Sequence, residues 1–327
     1  MPIIHIGYPK TASTWFQKAF YPHLKSPRYI GRDAIKAALA DWNALDFDPA
    51  EFRKTLGLGK NEAGLISEEG LCGYLHNGGV GGMVSKVLAE QLKQAYPDAR
   101  IVLFIRSQPS ILVAAYAQYV RSGGTRSAHR YFFPKDYLIG PNASTYKQPR
   151  FDIDFFRYSR LIELYERLFG KDKVQVFLFE QFTSGGMDFL RDYAGRLGLD
   201  VDWDKVTTDR KLKSYSLGLI RSARAMNLFT ARSVNDKVSL THIPGWYDAR
   251  REILEQLNRT GLFGSSPKLE QIVGRRTAQW LADYYVEDNV KLAKSHKLPL
   301  ADFGYPMEAS GVPDRDRPGR WRSILRF

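Results

Sequence analysis

The stretch that decides the fold is "IIHIGYPKTASTWF", residues 3–16. Its apolar start, Ile3–Ile6, is typical of a short strand that is buried on both faces. A tight turn around Lys10 follows, and the apolar spacing from Ser13 to Phe20 predicts a helix. A strand, a turn and a helix in this order bring backbone N–H groups and the positive end of a helix dipole together. That arrangement favours the binding of an anion such as phosphate or sulfate.

Lys10 adds a full charge to this turn, and Thr11, Ser13 and Thr14 add hydroxyl donors. The alternative is a structural turn in which Lys10 faces water and Ser13 or Thr14 only caps the helix. A Walker A loop is excluded, because it needs G-x-x-x-x-G-K-[ST] and only one glycine lies upstream of this lysine. ATP-dependent phosphoryl transfer is also disfavoured, because the later strand "IVLFI" ends in Arg106 and not in a Mg²⁺-binding aspartate.

Three further apolar runs predict buried strands: Gly64–Ser67, Ile101–Ile105 and Val174–Phe179. The predicted helices are Gly82–Ala95, Ser107–Val120, Tyr158–Phe169, Gly186–Leu197, Leu217–Leu228, Asp248–Asn258 and Leu269–Lys297. This alternation predicts an α/β fold of three layers with a central, mainly parallel sheet and a helical C-terminal part. We expect a single domain over residues 1–327, with a lid-like loop at 122–149 and an acceptor-side region of helices and loops at 209–265.

The charge of the chain points to an anionic partner. The formal net charge is +13, and residues 99–135 include five arginines but no Asp or Glu. Cys72 is the only cysteine, which excludes an intrachain disulfide and a zinc site made of thiolates. The sequence lacks an apolar run long enough to span a membrane and a basic segment ahead of its first apolar run. We therefore expect a cytoplasmic protein without a membrane span or signal peptide.

Four segments resemble the sulfotransferases that use 3′-phosphoadenosine 5′-phosphosulfate (PAPS). "YPKTASTWF" is similar to their 5′-phosphosulfate loop, P-K-[ST]-[GA]-[ST]-[ST]-[WYF], and "IVLFIRSQPSILVAAYAQYVRSGG" (101–124) to their 3′-phosphate segment. "VQVFLFEQF" (174–182) resembles a strand followed by an acidic turn. "YYVEDNVKLAKSHKLPLADFGY" (284–305) resembles a segment of bacterial members that sulfate surface polysaccharides or glycolipids. Together the segments cover roughly residues 3–200 and 270–305, and they imply a P-loop-like fold.

The resemblance implies a donor site that binds PAPS, leaves 3′-phosphoadenosine 5′-phosphate (PAP) as product and requires no metal. The residues that it assigns to this site are Lys10, Thr11, Ala12, Ser13, Thr14, Trp15, Arg106, Ser107, Ser110 and Arg121. The family usually has a serine eight residues after the arginine, where this chain has Ala114. Ser107 or Ser110 could replace it, or Arg121 or Arg126 could help Arg106. Loss of one neutral hydrogen bond costs about 0.5–1.5 kcal/mol, which weakens nucleotide binding without abolishing it.

The catalytic base is expected in "GLISEEGLCGYLH", residues 64–76. Two adjacent carboxylates after a strand can also be plain turn residues facing water. By resemblance, bacterial relatives carry I-S-x-E-x-L-x-G here, which matches Glu69, so Glu69 ranks first, Glu68 second and His76 third. A general base contributes about 10²–10⁴-fold to such a reaction. His5 lies inside the first strand and is expected to be packed or hydrogen-bonded.

The prediction is an in-line sulfuryl transfer to a hydroxyl acceptor, a saccharide or glycolipid by resemblance, with peripheral membrane contact left open. The same base and donor site would also serve a tyrosine on a peptide or a small alcohol. A nucleic-acid-binding protein would explain the charge, but the sequence carries no zinc finger, helix-turn-helix or aromatic RNA-binding signature. A P-loop kinase and an inactive protein that keeps the fold are further alternatives, the latter supported by Ala114.

Overall fold

The computed structural model describes residues 1–40, 43–137, 149–208, 215–231, 238–260 and 264–311. The expected lid-like loop and acceptor-side region lie partly outside these residues. The Arg-rich end of the chain beyond residue 311 lies wholly outside them.

The central sheet contains five parallel strands, β1 (Ile3–His5), β3 (Arg28–Ile30), β4 (Gly64–Ser67), β5 (Arg100–Ile105) and β6 (Val174–Leu178). Their spatial order is β3-β4-β1-β5-β6. The chain therefore builds one side of the sheet after β1 and then crosses to build the other side. Open α/β sheets bind ligands beyond the carboxyl ends of the strands at such a reversal of strand order, which here lies at β1. A separate antiparallel pair joins β2 (Leu24–Ser26) to β7 (Asp200–Val201).

Helices occupy both sides of the sheet and most of the C-terminal part of the chain. In the N-terminal half they are α1 (Ser13–Trp15), α2 (Arg32–Ala40), α3 (Pro49–Leu56), α4 (Gly78–Gly81), α5 (Met83–Ala95), α6 (Gln108–Arg121) and α7 (Ala128–Phe132). In the C-terminal half they are α8 (Tyr158–Phe169), α9 (Phe179–Leu197), α10 (Leu217–Met226), α11 (Trp246–Thr260), α12 (Leu269–Val273) and α13 (Arg275–His296). A π-helical turn, Phe16–Phe20, continues α1.

Alternate residues of the strands enter two separate hydrophobic clusters, one on each face of the sheet. On β5, Ile101, Leu103 and Ile105 belong to the larger cluster, which also includes side chains of α5, α6, α8 and α13. Val102 and Phe104 belong to the smaller cluster with the π-helical turn and α9. Because successive side chains of a strand point to opposite faces, a continuous apolar run such as "IVLFI" fills both clusters. The three-layer architecture is thus confirmed.

The predicted strands agree with the observed ones to within one residue at each end, and Tyr158–Phe169 is observed as predicted. Other helices needed correction. The predicted helix Leu269–Lys297 is divided at Gly274, whose φ of 85° ends α12. The predicted start at Gly186 is a kink inside a longer helix, α9, which begins at Phe179. Seven of the described elements were not predicted: β2, β3, β7, α2, α3, α4 and α7.

Within the described residues, no helix combines the length and the apolar character that crossing a bilayer requires.

Candidate active site

The Lys10 loop, Gly7–Thr14, connects β1 to α1 at the carboxyl edge of the sheet. Lys10 and Ala12 both have a φ of 70°, the left-handed region that residues with a side chain seldom adopt. The first helical hydrogen bonds run from the N–H groups of Trp15 and Phe16 to the Ala12 carbonyl. The N–H groups of Ser13 and Thr14 therefore precede the hydrogen-bonded ladder and can receive an external acceptor. Such backbone strain is characteristic of ligand-binding turns.

The side chain of Lys10 is partly buried, and its Nζ donates to Oε1 of Gln118 on α6 at 3.1 Å. Burial, followed by the positive charges of Arg121 and Arg106, lowers the pKa of Lys10 from 10.5 to about 8, whereas Glu69 opposes the shift. Ion pairing does not account for Lys10, since no carboxylate of the described residues lies within ion-pair distance of its Nζ. The lysine thus carries a positive charge toward the cleft with only a neutral amide as its partner.

Arg106 follows β5 directly and contacts the Lys10 loop from the neighbouring strand. Its Nη1 donates to the Lys10 carbonyl at 2.9 Å, and its Nε donates to Oγ of Ser110 at 2.8 Å. The guanidinium also stacks on the ring of Phe179, with its central carbon 4.3 Å from the ring centroid. These contacts fix the orientation of Arg106 and hold the left-handed Lys10 in place.

The two serines near Arg106 have different partners. The Ser107 hydroxyl donates to the Gly304 carbonyl at 3.1 Å, and the Ser107 N–H donates to Glu180 at 3.0 Å, so Ser107 anchors the C-terminal segment. Ser110 instead lies beside the guanidinium of Arg106. Arg121 forms an ion pair with Glu255 at 2.6 Å. Of the groups expected to replace the missing serine at Ala114, Ser110 is the one whose hydroxyl contacts Arg106.

The two adjacent carboxylates after β4 have different surroundings. Glu68 is buried, accepts from Nε of Arg32 at 2.6 Å, and caps the turn by accepting from the Gly70 N–H. Glu69 is half-buried and lines the main cleft; its Oε1 accepts from Nη2 of Arg32 at 3.1 Å and its Oε2 from Nε2 of Gln17 at 3.3 Å. Glu68 therefore mainly holds the turn together, while Glu69 is oriented toward the cleft by two donors.

His76, the third candidate for the base, lies in the cleft, whereas His5 lies in the core as expected. His76 lines the cleft, and its Nδ1 shares a hydrogen bond of 2.7 Å with the Tyr131 hydroxyl. Burial, followed by the charge of Lys10, lowers the pKa of His76 to about 4. His5 lies in the core, with Nδ1 close to the hydroxyls of Tyr21 and Ser67, and burial lowers its pKa to about 3. Both imidazoles are therefore neutral at physiological pH.

These groups meet in a cleft of about 970 Å³. The side chains expected in the site that line it are Lys10, Ala12, Ser13, Thr14, Trp15, Glu68, Glu69, His76, Arg106 and Arg121. Thr11 does not line it; its hydroxyl is buried and donates to the Tyr8 carbonyl within the loop. Trp15 packs its ring against Phe182, with centroids 4.9 Å apart.

A second cleft of about 630 Å³ shares Arg106 and Ala114 with the main cleft. Ser107 and Ser110 line this second cleft. Its other charged lining residues are Lys268, which directly precedes α12, Glu270 on α12 and Arg275 at the start of α13. The guanidinium of Arg106 thus separates two adjoining spaces, both of which carry positive charge.

Four contributors to the site were not identified from the sequence: Gln17, Arg32, Gln118 and Phe179. The three polar side chains lie 36 to 108 residues away in the sequence from the groups that they contact. The only sequence signal available was position, since Arg32 begins the helix after a strand and Phe179 begins the helix after β6. A search for clusters of metal-binding side chains, limited to the described residues, finds none.

Comparison with solved structures gives several matches. The chain is similar to the crystal structure of a sulfotransferase from Alicyclobacillus acidocaldarius, with a TM-score of 0.44, 18% sequence identity, and coverage of 65% of this chain and 87% of that one. No protein-family model and no curated protein matches the chain.

Proposed function

We propose that the chain is a sulfotransferase that transfers a sulfuryl group from PAPS to a hydroxyl group of a saccharide or glycolipid. One observation carries the proposal: Lys10, Arg106 and Glu69, from the ends of three neighbouring parallel strands, line the same cleft. Two cations suit a phosphorylated donor, and a carboxylate suits a hydroxyl that must lose its proton. Sulfuryl transfer needs this combination because positioning and charge stabilisation supply most of the catalysis.

In this proposal the Lys10 loop binds the 5′-phosphosulfate. Ser13 and Thr14 contribute N–H groups and hydroxyls, and Lys10 contributes a charge whose present partner, Gln118, is neutral. An incoming phosphate oxygen can replace this amide without separating an ion pair, so its binding carries no penalty for leaving a carboxylate unpaired. Charge that develops on the leaving phosphate would then be stabilised by donors that are already oriented.

The 3′-phosphate of the donor belongs in the second cleft, next to Arg106 and Ser110. Ser110 supplies the hydroxyl that is missing at Ala114, and Lys268 and Arg275 supply additional positive charge from the C-terminal helices. Arg121 is a weaker candidate for this phosphate, because Glu255 already neutralises its guanidinium. Adenine binding is left to the aromatic side chains of the main cleft, which include Trp15 and Phe179, the latter in contact with the Arg106 guanidinium.

Glu69 is proposed as the general base. The acceptor oxygen forms a bond to sulfur while the bond between sulfur and the 5′-phosphate oxygen breaks, PAP leaves with that electron pair, and the acceptor proton passes to Glu69. Arg32 and Gln17 hold the two oxygens of Glu69, which aims the carboxylate before the acceptor arrives. Glu68 does not suit this role as well, because it is buried while it pairs with Arg32 and caps Gly70, whereas Glu69 is only half-buried.

Calorimetric titration with PAP, compared with ATP and Mg²⁺, tests the donor assignment. We expect PAP to bind and Lys10→Ala to weaken that binding by about tenfold or more, since a charge-assisted contact to phosphate is lost. The variant Lys86→Ala removes an exposed lysine from α5 and serves as the control. Binding of ATP with Mg²⁺ and no binding of PAP would overturn the proposal.

A further inference from the structure

A third pocket, the arginine pocket, lies outside both clefts and is lined by four arginines. Its volume is about 480 Å³, and its lining is Thr125, Arg126, Ser127, Arg130, Arg221, Arg224, Ala225, Leu228 and Val238. Among the described residues, this lining combines guanidinium groups with two hydroxyls and includes neither Asp nor Glu. Protein surfaces ordinarily mix charges of both signs, so a concave site of one sign indicates an anionic ligand.

The described partners of two of these arginines, Arg224 and Arg130, are uncharged. Arg224 donates through Nη1 to the Tyr116 hydroxyl at 3.5 Å, and the guanidinium of Arg130 lies 4.7 Å from the ring centroid of Tyr137. Within the part of the chain that the structure describes, Arg130, Arg221 and Arg224 form no ion pair with a carboxylate. Their mutual repulsion is therefore not offset there, and a bound anion would relieve it.

The arginine pocket adjoins the main cleft through the end of α6. Ser122 lines the main cleft, and Thr125, three residues later, lines the pocket, so their Cα atoms are at most about 11 Å apart. The connecting turn is fixed by the Asn227 side chain, which donates to the carbonyls of Val120 and Gly124 at 2.7 Å each. A molecule of a few sugar units could therefore contact both sites at once.

We propose that the arginine pocket binds an anionic group of the acceptor, so that the acceptor is an anionic saccharide carrying sulfate or carboxylate. This inference rests on the proposed function, because it assumes that the acceptor hydroxyl lies at Glu69. A saccharide is favoured over a nucleic acid because the lining, as far as the structure describes it, contains hydroxyls and guanidinium groups but no aromatic ring on which a base could stack. The anion supplies binding energy away from the reacting hydroxyl, which positions it for transfer.

The test is calorimetric binding of three probes to the full chain saturated with PAP, at constant ionic strength. The probes are a heparin-derived tetrasaccharide, its desulfated form and an oligothymidylate of four nucleotides. The pocket variant is the double substitution Arg221→Ala/Arg224→Ala. Its control is Arg167→Ala/Arg191→Ala, which also removes two positive charges but from exposed positions on α8 and α9. We expect the pocket variant to lose affinity for a saccharide probe by about tenfold or more, with PAP affinity unchanged and with the control close to the original chain.

Each result has a defined meaning. A loss limited to the sulfated probe identifies sulfate as the anion, and a loss with both saccharides identifies carboxylate as sufficient. Equal losses in the pocket and control variants would show that only net charge matters and would overturn the proposal. Tighter binding of the oligothymidylate that is lost in the pocket variant would overturn it in favour of a nucleic acid. Failure of PAP to bind while the saccharide effect persists would reject the donor assignment but keep the anion site.

Discussion

Lys10 differs from an ordinary surface lysine in its backbone, its burial and its side-chain partner. Its φ is left-handed, its side chain is partly buried, and Gln118 is a neutral partner. A solvated lysine in a structural turn needs none of these features. Arg106 also donates to the Lys10 carbonyl, which brings two cations close together. A bound anion would offset the repulsion between them. The geometry therefore favours the anion-binding interpretation of the turn.

The lowered pKa of Lys10 predicts that donor binding depends on pH. Its pKa of about 8 means that the charge is present below pH 8 and is lost as pH rises above it. PAP affinity should then fall by up to about tenfold per pH unit above pH 8, the factor by which the protonated fraction falls. Calorimetry with PAP between pH 6.5 and 9.5 measures this, with about one pH unit between titrations.

Lys10→Gln is the control for this pH dependence, because glutamine keeps a polar side chain of similar length without a titrating charge. Its PAP affinity should be low and flat across the same range. A profile in the original chain that is equally flat would mean that Lys10 does not contact the nucleotide in its charged form.

Glu69 and Glu68 are predicted to respond differently to the same substitution. Glu69→Gln should reduce the transfer rate by about 10²–10⁴-fold with PAP affinity unchanged, because only proton transfer is lost. Glu68→Gln should instead lower the free energy of unfolding by about 1–3 kcal/mol, because the buried carboxylate that pairs with Arg32 and caps Gly70 is lost. Transfer of radiolabelled sulfuryl from PAPS and urea unfolding measure the two effects.

The contrast between the two glutamates decides the assignment of the base. Normal turnover by Glu69→Gln would move the base to Glu68 or His76. A neutral, hydrogen-bonded imidazole such as that of His76 would then need to be tested with His76→Asn.

At the scale of the elements, α6 links all three spaces of the molecule. Gln118 and Arg121 face the main cleft, Ser110 faces the second cleft, and the turn after the helix leads into the arginine pocket. Ala114 lies at the centre of this helix and lines both clefts. A change at this position therefore reports directly on whether the 3′-phosphate lies between them.

Ala114→Ser is predicted to strengthen PAP binding. The added hydroxyl would donate one hydrogen bond to the 3′-phosphate, worth about 0.5–1.5 kcal/mol, or about two- to tenfold in affinity. Adenosine 5′-monophosphate lacks the 3′-phosphate and should gain nothing. Calorimetry with both nucleotides separates the two effects.

Ala117→Ser, one turn further along α6 in the main cleft only, is the matched control for this gain. It should leave PAP affinity close to that of the original chain. An equal gain by both variants, or a gain that extends to adenosine 5′-monophosphate, would remove the 3′-phosphate from the neighbourhood of Ala114.

The elements also show what the sequence could predict and why. Runs such as "IVLFI" fill two hydrophobic clusters, one on each face of the sheet. Because such a strand is apolar at every consecutive position, the sequence alone predicted these strands well. β3 was missed because it has only three residues, of which Arg28 is exposed and Ile30 alone is buried. Its pairing with β4 depends on a neighbour more than thirty residues away. The glycines were decisive at helix boundaries, where Gly186 marks a kink and Gly274 an end.

The site follows the same division between local and distant information. Lys10, Arg106 and Glu69 were predictable because each lies in the first residues after an apolar strand, and parallel strands bring their ends to one edge. Gln17, Gln118 and Arg32 were not, because each acts on a residue of a different element through packing that no local pattern encodes. Glu68 and Glu69 both pair with Arg32. They differ in their second partner, which is the nearby Gly70 N–H for Glu68 and the distant Gln17 for Glu69.

At the scale of the whole molecule, the C-terminal segment is hydrogen-bonded to the edge of the sheet at which β5 ends. Tyr305 donates to Glu180, which also accepts from the Ser107 N–H, and burial raises the pKa of Glu180. Gln108 and Asn289 exchange two hydrogen bonds at 2.7 and 3.0 Å between the start of α6 and α13. The strand end that carries Arg106 is thus held by residues from the opposite end of the chain.

This connection predicts that PAP stabilises the whole fold against heat. The proposed donor contacts come from the Lys10 loop, α6 and the C-terminal helices, so unfolding of any of these would release the nucleotide. At a PAP concentration of about 100 times Kd, the expected stabilisation is about 2.7 kcal/mol, which raises Tm by a few degrees. Differential scanning calorimetry should show one transition that moves as a unit with PAP.

Tyr305→Phe removes the hydroxyl that donates to Glu180. This variant should have a lower Tm in the absence of PAP, and PAP should raise its Tm by less than it raises that of the original chain. Lys86→Ala should change neither the Tm nor the PAP-dependent rise in Tm. A PAP-dependent shift of an early transition alone would mean that the C-terminal helices do not share in the donor site, and the proposed roles of Lys268 and Arg275 would then be rejected.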